Sequence, residues 1–396
     1  MEPTESAWHR SVAELLHRGH LVEVSSLVDF VNEICASLHV EVTVYLVDRE
    51  QESLRALPQA GRARPEPQGI DATVAGRAFA LLQPLSPPGQ PDRLWVPMLD
   101  GADRIGVVEF QLPPGRSGED LETREYAATF TSAISYLVVA KASYGDTIRR
   151  ARRSRPMSTA GELLWRALPP LTFATPGLSL AAALEPAYEV GGDAFDYAVD
   201  HGVLRTGIFD AVGHGLDAVL TSTLTLGATR AARAAGLDLR AQAQAADEAL
   251  TSQFEGPRYT TAILAELDKE TGVVRYLNAG HPPAVLVRRG RAVAALDATR
   301  RTPLGVAGES KVSEHELQPG DRLLCYTDGI TEARDDEGEF FGFERLLDLV
   351  ERHGAAALPA QETLRRLIRA VMDYQHQQLQ DDATLMIVEW NPEPTA

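Results

Sequence analysis

The sequence predicts an α+β protein of two domains joined by a helical segment. Three observations predict it. The 396 residues exceed one domain of roughly 100–200 residues. Residues 24–50 pass from helical apolar spacing to strand alternation. From residue 178 to 389, many short apolar runs are interleaved with two or three helical stretches, a layered pattern rather than a regular βαβ series.

The elements follow in order. Val24, Leu27, Val28, Val31, Ile34, Cys35 and Leu38 recur at helical spacing, and VEVTVYLVDRE then alternates like a half-buried strand. GRARPEPQG and LLQPLSPPGQPDR read as loops because proline and glycine break both periods. RLWVPML and RIGVVEFQL flank LDGADR, whose Asp-Gly pair predicts a hairpin. EYAATFTSAISYLVVAKA closes this first domain, residues 1–143, as a helix. Residues 144–170 read as a connector. They hold the basic run RRARRSR, a solvated helix face or an acidic-partner contact, and then STAGELLWRALPP, where Ser158 or Thr159 caps a helix ended by Pro169 and Pro170. Residues 171–390 form the second domain.

Composition narrows the function. A hydrophobic fraction of 44% supports buried cores. A net charge of −18 disfavours nucleic acid, a polyanion that the summed field repels. The polar, acidic opening MEPTESAWHRS argues against a secretory signal, and ISYLVVA is far short of the roughly 20 apolar residues of a membrane span, so a cytoplasmic location without membrane contact is expected. Cys35 and Cys325 lack partner spacing and read as reduced, buried thiols.

Four segments of the second domain share one design, an apolar run that delivers aspartate into a turn of small residues. They are VGGDAFDY with Asp193, TGIFDAVGHG with Asp210, LLCYTDGITEA with Asp328, and LQDDATLMIVEW with Asp381 and Asp382. One such turn is ordinary; four imply convergence. Carboxylates without a Cys or His cluster suit hard cations such as Mg²⁺ or Mn²⁺, which also relieve the repulsion of gathering them. Two such ions about 4 Å apart acidify a bridging water and offset charge on a phosphoryl group, so phosphate-ester hydrolysis is expected. A nucleotide cyclase is excluded, because GGDAF lacks the acidic residue that follows the aspartate in cyclase strings.

GGDAFDY, FDAVGHG, LNAGHPP, TPLGV, YTDGITEA and DDATLMIVE, in this order over about residues 160–390, resemble the SpoIIE/RsbU-like branch of the PP2C-type metal-dependent phosphatases. The resemblance implies an α/β/β/α sandwich, two Mn²⁺ or Mg²⁺ ions at one end of the sheets, and phosphoserine or phosphothreonine proteins as substrates. By that resemblance Asp193 and Asp210 hold one ion, Asp210 bridges to the second, the backbone carbonyl of Ala211 adds a ligand, and Asp328 and Asp381 hold the other ion. Asp382 then stands behind the ligands, the alternative being that Asp382 is itself a ligand. His214 either donates a proton to the leaving seryl oxygen or fixes the loop at a helix entry. Asn278, Gly280 and His281 read as a tight turn, with a substrate-adjacent role for His281 as the alternative. Arg258 is a candidate phosphate clamp or a strand-end charge. The first domain resembles a GAF-type sensory unit, implying an unidentified small ligand or a homodimer through this domain and the connector helix. By analogy with bacterial members the substrate is a phosphorylated STAS-type anti-anti-sigma factor. A non-catalytic partner-binding regulator with a degenerate phosphatase fold is the alternative.

Overall fold

The computed structural model describes residues 5–189, 191–355, 358–376 and 379–392; Val190 of the EVGGDAFDY motif lies outside the described residues. The chain divides into two compact units, Met1–Pro156 and Met157–Ala396. The expected connector does not stand apart: its first part lies in one unit and its second part in the other.

The first unit runs α1 (Glu5–Gly19), α2 (Leu27–Cys35), β1 (Glu41–Val47), β2 (Ser53–Ala56), β3 (Gln68–Gly69), α3 (Val74–Leu81), β4 (Arg93–Asp100), β5 (Asp103–Gln111), α4 (Leu121–Lys141) and α5 (Thr147–Ala151). Its sheet has the order β3-β2-β1-β5-β4, antiparallel throughout. All seven apolar residues expected on one face between residues 24 and 38 are buried, with α2 flanked by a 3₁₀ turn on each side. The Asp-Gly hairpin forms, with Asp100 paired to Asp103 and Gly101 at φ +58°, a left-handed conformation that glycine adopts without steric cost. One sheet face packs under α1, α2, α4 and α5, and Phe79 and its neighbours on α3 cover the other. Two helices depart from expectation. The polar opening enters α1, which buries Trp8 and Leu15, and α3 lies between the two anticipated loops.

The second unit runs α6 (Thr159–Ala167), β6 (Thr172–Thr175), β7 (Leu178–Glu185), β8 (Asp193–Asp200), β9 (Val203–Ala211), α7 (Gly215–Ala234), α8 (Leu239–Gln253), β10 (Thr260–Asp268), β11 (Val273–Ala279), β12 (Ala284–Arg288), β13 (Arg291–Leu296), β14 (Arg300–Arg301), β15 (Ser313–Glu316), β16 (Asp321–Tyr326), α9 (Asp328–Thr331), α10 (Phe343–Ala355), α11 (Ala360–Tyr374) and β17 (Ala383–Trp390). Among the described residues these strands make two six-stranded sheets. One has the order β14-β11-β10-β9-β8 with β15 also on β11, and the other β13-β12-β16-β17-β7-β6.

Period-two alternation makes the layers, because successive side chains of a strand leave opposite faces. Met386, Val388 and Trp390 of β17 join Leu204 and Ile208 of β9 between the sheets, while Leu385 and Ile387 turn outward to α10 and α11. Phe209 and Leu264 face α7 and α8 on the other side. The result is the expected α/β/β/α sandwich. It holds more helix than the two or three stretches anticipated, since α10 and α11 add a complete outer layer.

The face that α7 buries is rich in hydroxyl residues. Leu216 and Leu220 are exposed, and the buried face carries Ala218, Val219, Thr221, Ser222, Thr225, Leu226 and Thr229. Thr221, Ser222, Thr225 and Thr229 each donate to the carbonyl four residues back, so their hydroxyls are satisfied and tolerate burial. Both cysteines are buried free thiols, as expected. No helix among the described residues is long and apolar enough to cross a membrane.

Candidate functional site

The four aspartate-bearing turns meet at one end of the two sheets. Asp193 opens β8 and pairs directly with Asp210 of β9. Like charges placed opposite each other on an antiparallel pair repel. From the other sheet, Asp328 starts α9 immediately after β16, and Asp381 and Asp382 precede β17, which pairs with β16.

Backbone geometry explains the small residues of these turns. A Cβ on Gly192 would lie 2.2 Å from the carbonyl oxygen of Ala211, and one on Gly191 would lie 2.7 Å from the Asp382 carboxylate. Two glycines therefore let the chain pass against both groups. A Cβ on Gly329 would meet the Asp382 carbonyl at 1.8 Å, which brings the Asp328 turn onto the Asp381-Asp382 turn. Asp382 is buried and accepts hydrogen bonds from the backbone N–H groups of Gly191 (2.8 Å) and Asp193 (3.1 Å). It fastens the start of β8 to the start of β17. Asp381 is exposed, and its Oδ1 accepts from the N–H of Asp382.

Thr327 ties the two sheets together at this point. Its hydroxyl donates to Asp193 Oδ2 at 2.7 Å and its oxygen accepts from the N–H of Thr384 at 2.9 Å. Across β9 and β10, Thr261 faces Asp210, donating to Oδ2 at 3.5 Å and contacting His281 Nδ1 at 2.7 Å.

The electrostatics record the crowding. Burial, then the charges of Asp382 and Asp210, push the Asp193 carboxyl well above the usual carboxylate range. Burial, then Asp328, Asp381 and Asp382, lift Asp210 to about 7. Asp382 rises to about 6, chiefly through burial, with its backbone N–H partners acting in the opposite direction. Asp328 is raised by burial, Glu332 and Asp381. The five carboxylates thus form one mutually repelling group.

That donor set fits hard divalent cations, being all oxygen and short of compensating positive charge. Among the described residues, no three Asp, Glu, His or Cys side chains already stand around one point in a ligating arrangement. Cation uptake would have to draw these carboxylates inward.

The other candidates separate clearly. His214 precedes α7, is exposed and makes no side-chain capping bond. It lines a cavity of about 460 Å³ with Leu216, Pro186, Asp381 and Asp382. Asn278 brackets the backbone of His281 with two hydrogen bonds of 2.9 Å, and Gly280 has φ +73°, so the expected tight turn is present. His281 itself is fully buried, which lowers it to about 3 and leaves the ring neutral. The guanidinium of Arg258 pairs with Asp217 at 2.8 Å. Residue patterns did not reveal Thr327, Thr261 or Ser222, which bonds the Gly192 carbonyl. The only signal was position, a hydroxyl residue next to the aspartate or on the neighbouring strand. Asp196, the second carboxylate of GGDAFDY, is a clamp: buried, it pairs with Arg230 and Arg233 of α7.

Residues 200–391 match the family described as Stage II sporulation protein E (SpoIIE). The C-terminal unit is therefore similar to the SpoIIE family of PP2C-type domains. The match contains Asp210, His214, Asp328, Asp381 and Asp382 of the SpoIIE-type unit, and Asp193 lies just before it. Phosphoserine phosphatase RsbU of Bacillus subtilis is 24% identical over 214 residues, covering 53% of this chain and 63% of RsbU. Phosphoserine phosphatase RsbP of the same organism is 30% identical over 149 residues, 36% of this chain and 37% of RsbP. The crystal structure of the RsbU and RsbW domains of a Mycobacterium tuberculosis protein aligns with a TM-score of 0.50 and 28% identity, over 55% of this chain and 63% of that one. The chain thus spans less than two thirds of the length of these relatives.

Proposed function

We propose that the chain is a metal-dependent protein phosphatase that hydrolyses phosphoserine or phosphothreonine on a regulatory protein. The observation that carries this reading is the gathering of Asp193, Asp210, Asp328, Asp381 and Asp382, from both sheets, into one group in which burial and neighbouring carboxylates raise the proton affinity of Asp193, Asp210, Asp328 and Asp382. The names of RsbU and RsbP, both phosphoserine phosphatases, support it.

Asp193 and Asp210 would hold one Mn²⁺ or Mg²⁺ ion, with Asp210 shared and the Ala211 carbonyl adding a ligand. Asp328 and Asp381 would hold a second. Asp382 is committed to two backbone N–H groups and serves better as their anchor. Such ions would supply positive charge to the phosphoryl oxygens and an activated water. Exposed His214, on the cavity shared with Asp381, would give a proton to the leaving seryl oxygen.

The substrate we assign by analogy is a phosphorylated STAS-type anti-anti-sigma factor in partner switching. The first unit, a five-stranded antiparallel sheet with helices on both faces, suits a GAF-like sensory or dimerising role that gates the phosphatase.

With Mn²⁺ the protein is expected to hydrolyse p-nitrophenyl phosphate or a phosphoserine peptide. Asp210→Ala and Asp328→Ala should abolish turnover while leaving the circular dichroism unchanged. Full turnover in either variant would remove the metal assignment, and an inert wild type would favour the non-catalytic regulator.

A further inference from the structure

The hydrogen-bond chain behind Asp210 begins at a residue with no access to substrate. His281 is fully buried in the turn after β11, its backbone fixed on both sides by the Asn278 side chain. That turn is pinned to β10 by the bridge between Gly280 and Ala262, next to Thr261. The ring is therefore held in place, and its Nδ1 sits 2.7 Å from Thr261 Oγ1. Thr261 in turn faces Asp210 across the strand pair, its Oγ1 3.5 Å from Oδ2.

A neutral imidazole carries one proton, and its location sets the direction of the chain. Nδ1 has the Thr261 oxygen at 2.7 Å, whereas Nε2 is buried without a well-aligned hydrogen bond, the Tyr326 backbone carbonyl being the acceptor that competes for the ring proton. We propose that His281 is a positioning residue for Asp210: its Nδ1–H donates to Thr261, which turns the single hydroxyl proton of Thr261 onto the Asp210 carboxylate. A threonine left alone would rotate its hydroxyl toward any nearby acceptor. With Nδ1–H occupying one lone pair of Oγ1, the proton is directed to Oδ2. The Asp210 carboxylate is then held in one orientation, so less rotational freedom is lost when it takes up a cation. This inference rests on the metal-dependent reading of the site, but the proton's position can be measured without metal.

Two measurements test it. Long-range ¹⁵N–¹H correlation on metal-free protein should show His281 protonated at Nδ1, with its ¹⁵N shifts changed by Thr261→Val. The competing tautomer, protonated at Nε2 toward the Tyr326 carbonyl, would reverse the hydroxyl and overturn the proposal. Mn²⁺ titration calorimetry should show affinity about tenfold weaker in Thr261→Val and His281→Leu. It should be largely restored in His281→Asn, whose amide places a donor near the Nδ1 position, and in Thr261→Ser. Unchanged Mn²⁺ affinity in folded Thr261→Val would also overturn it. A wild type that takes up no Mn²⁺ would remove the phosphatase reading, and the ¹⁵N tautomer would still decide the role of His281.

Discussion

Asp193 and Asp210 face each other on neighbouring strands, where burial and neighbouring carboxylates raise both above the usual carboxylate range. The consequence for stability has a definite sign. Asp210 at about 7 and Asp382 at about 6 lie above the ordinary carboxylate value of about 3.9, so the metal-free native state holds protons that the unfolded chain has released. Stability should therefore be greatest at low pH within this window. It should fall, by on the order of 2–4 kcal/mol, as pH rises from about 4 to 7. Thermal unfolding of metal-free protein at pH 5 and pH 7.5 checks this, with Asp210→Asn expected to flatten the dependence. Saturating Mn²⁺ should raise Tm at pH 7.5, because a ligand that binds only the native state stabilises it. The aspartates themselves were legible in the sequence, each lying between an apolar run and a turn. Thr327 and Thr261 were not, since a hydroxyl's role depends on which strand lies beside it. His281 was legible as a turn residue, but its contact with Thr261 comes from a strand 20 residues away.

At the scale of elements, the turn before β8 is the most constrained. Gly192 sits where any side chain would strike the Ala211 carbonyl and push β9 away. Gly192→Ala is expected to lower stability by about 1–3 kcal/mol through overpacking, and to weaken Mn²⁺ binding more than its effect on folding alone requires. Urea titration and calorimetry on the same preparation separate the two. Elements with strong contrast between apolar and polar positions were readable, as in the helix around Val28 and the hairpin at Gly101. The buried face of α7 was not. Four hydroxyl residues there count as polar in a periodicity yet are satisfied by their own helix. The short helix α3 was missed for a related reason, being built on Ala75, Ala78 and Ala80 with Phe79 as its one large buried residue.

For the whole molecule, each unit has hydrophobic clusters drawn from its own residues, so residues 157–396 are expected to fold alone. If the first unit gates catalysis, this fragment and the full chain will differ in turnover or apparent Mn²⁺ affinity. Equal values would make the first unit a passive attachment. The amino-acid order by itself determined the two-domain plan, the alternation that separates inward from outward faces, and the aspartates that could bind cations. Those features are local, written in spacing and in turn chemistry. Only the tertiary structure decided that Asp382 anchors backbone while Asp381 stays exposed, and that Thr327 joins one sheet to the other. It also decided that His281 stands behind Asp210. These are contacts between segments far apart in the chain, and their geometry exists only once both sheets have packed.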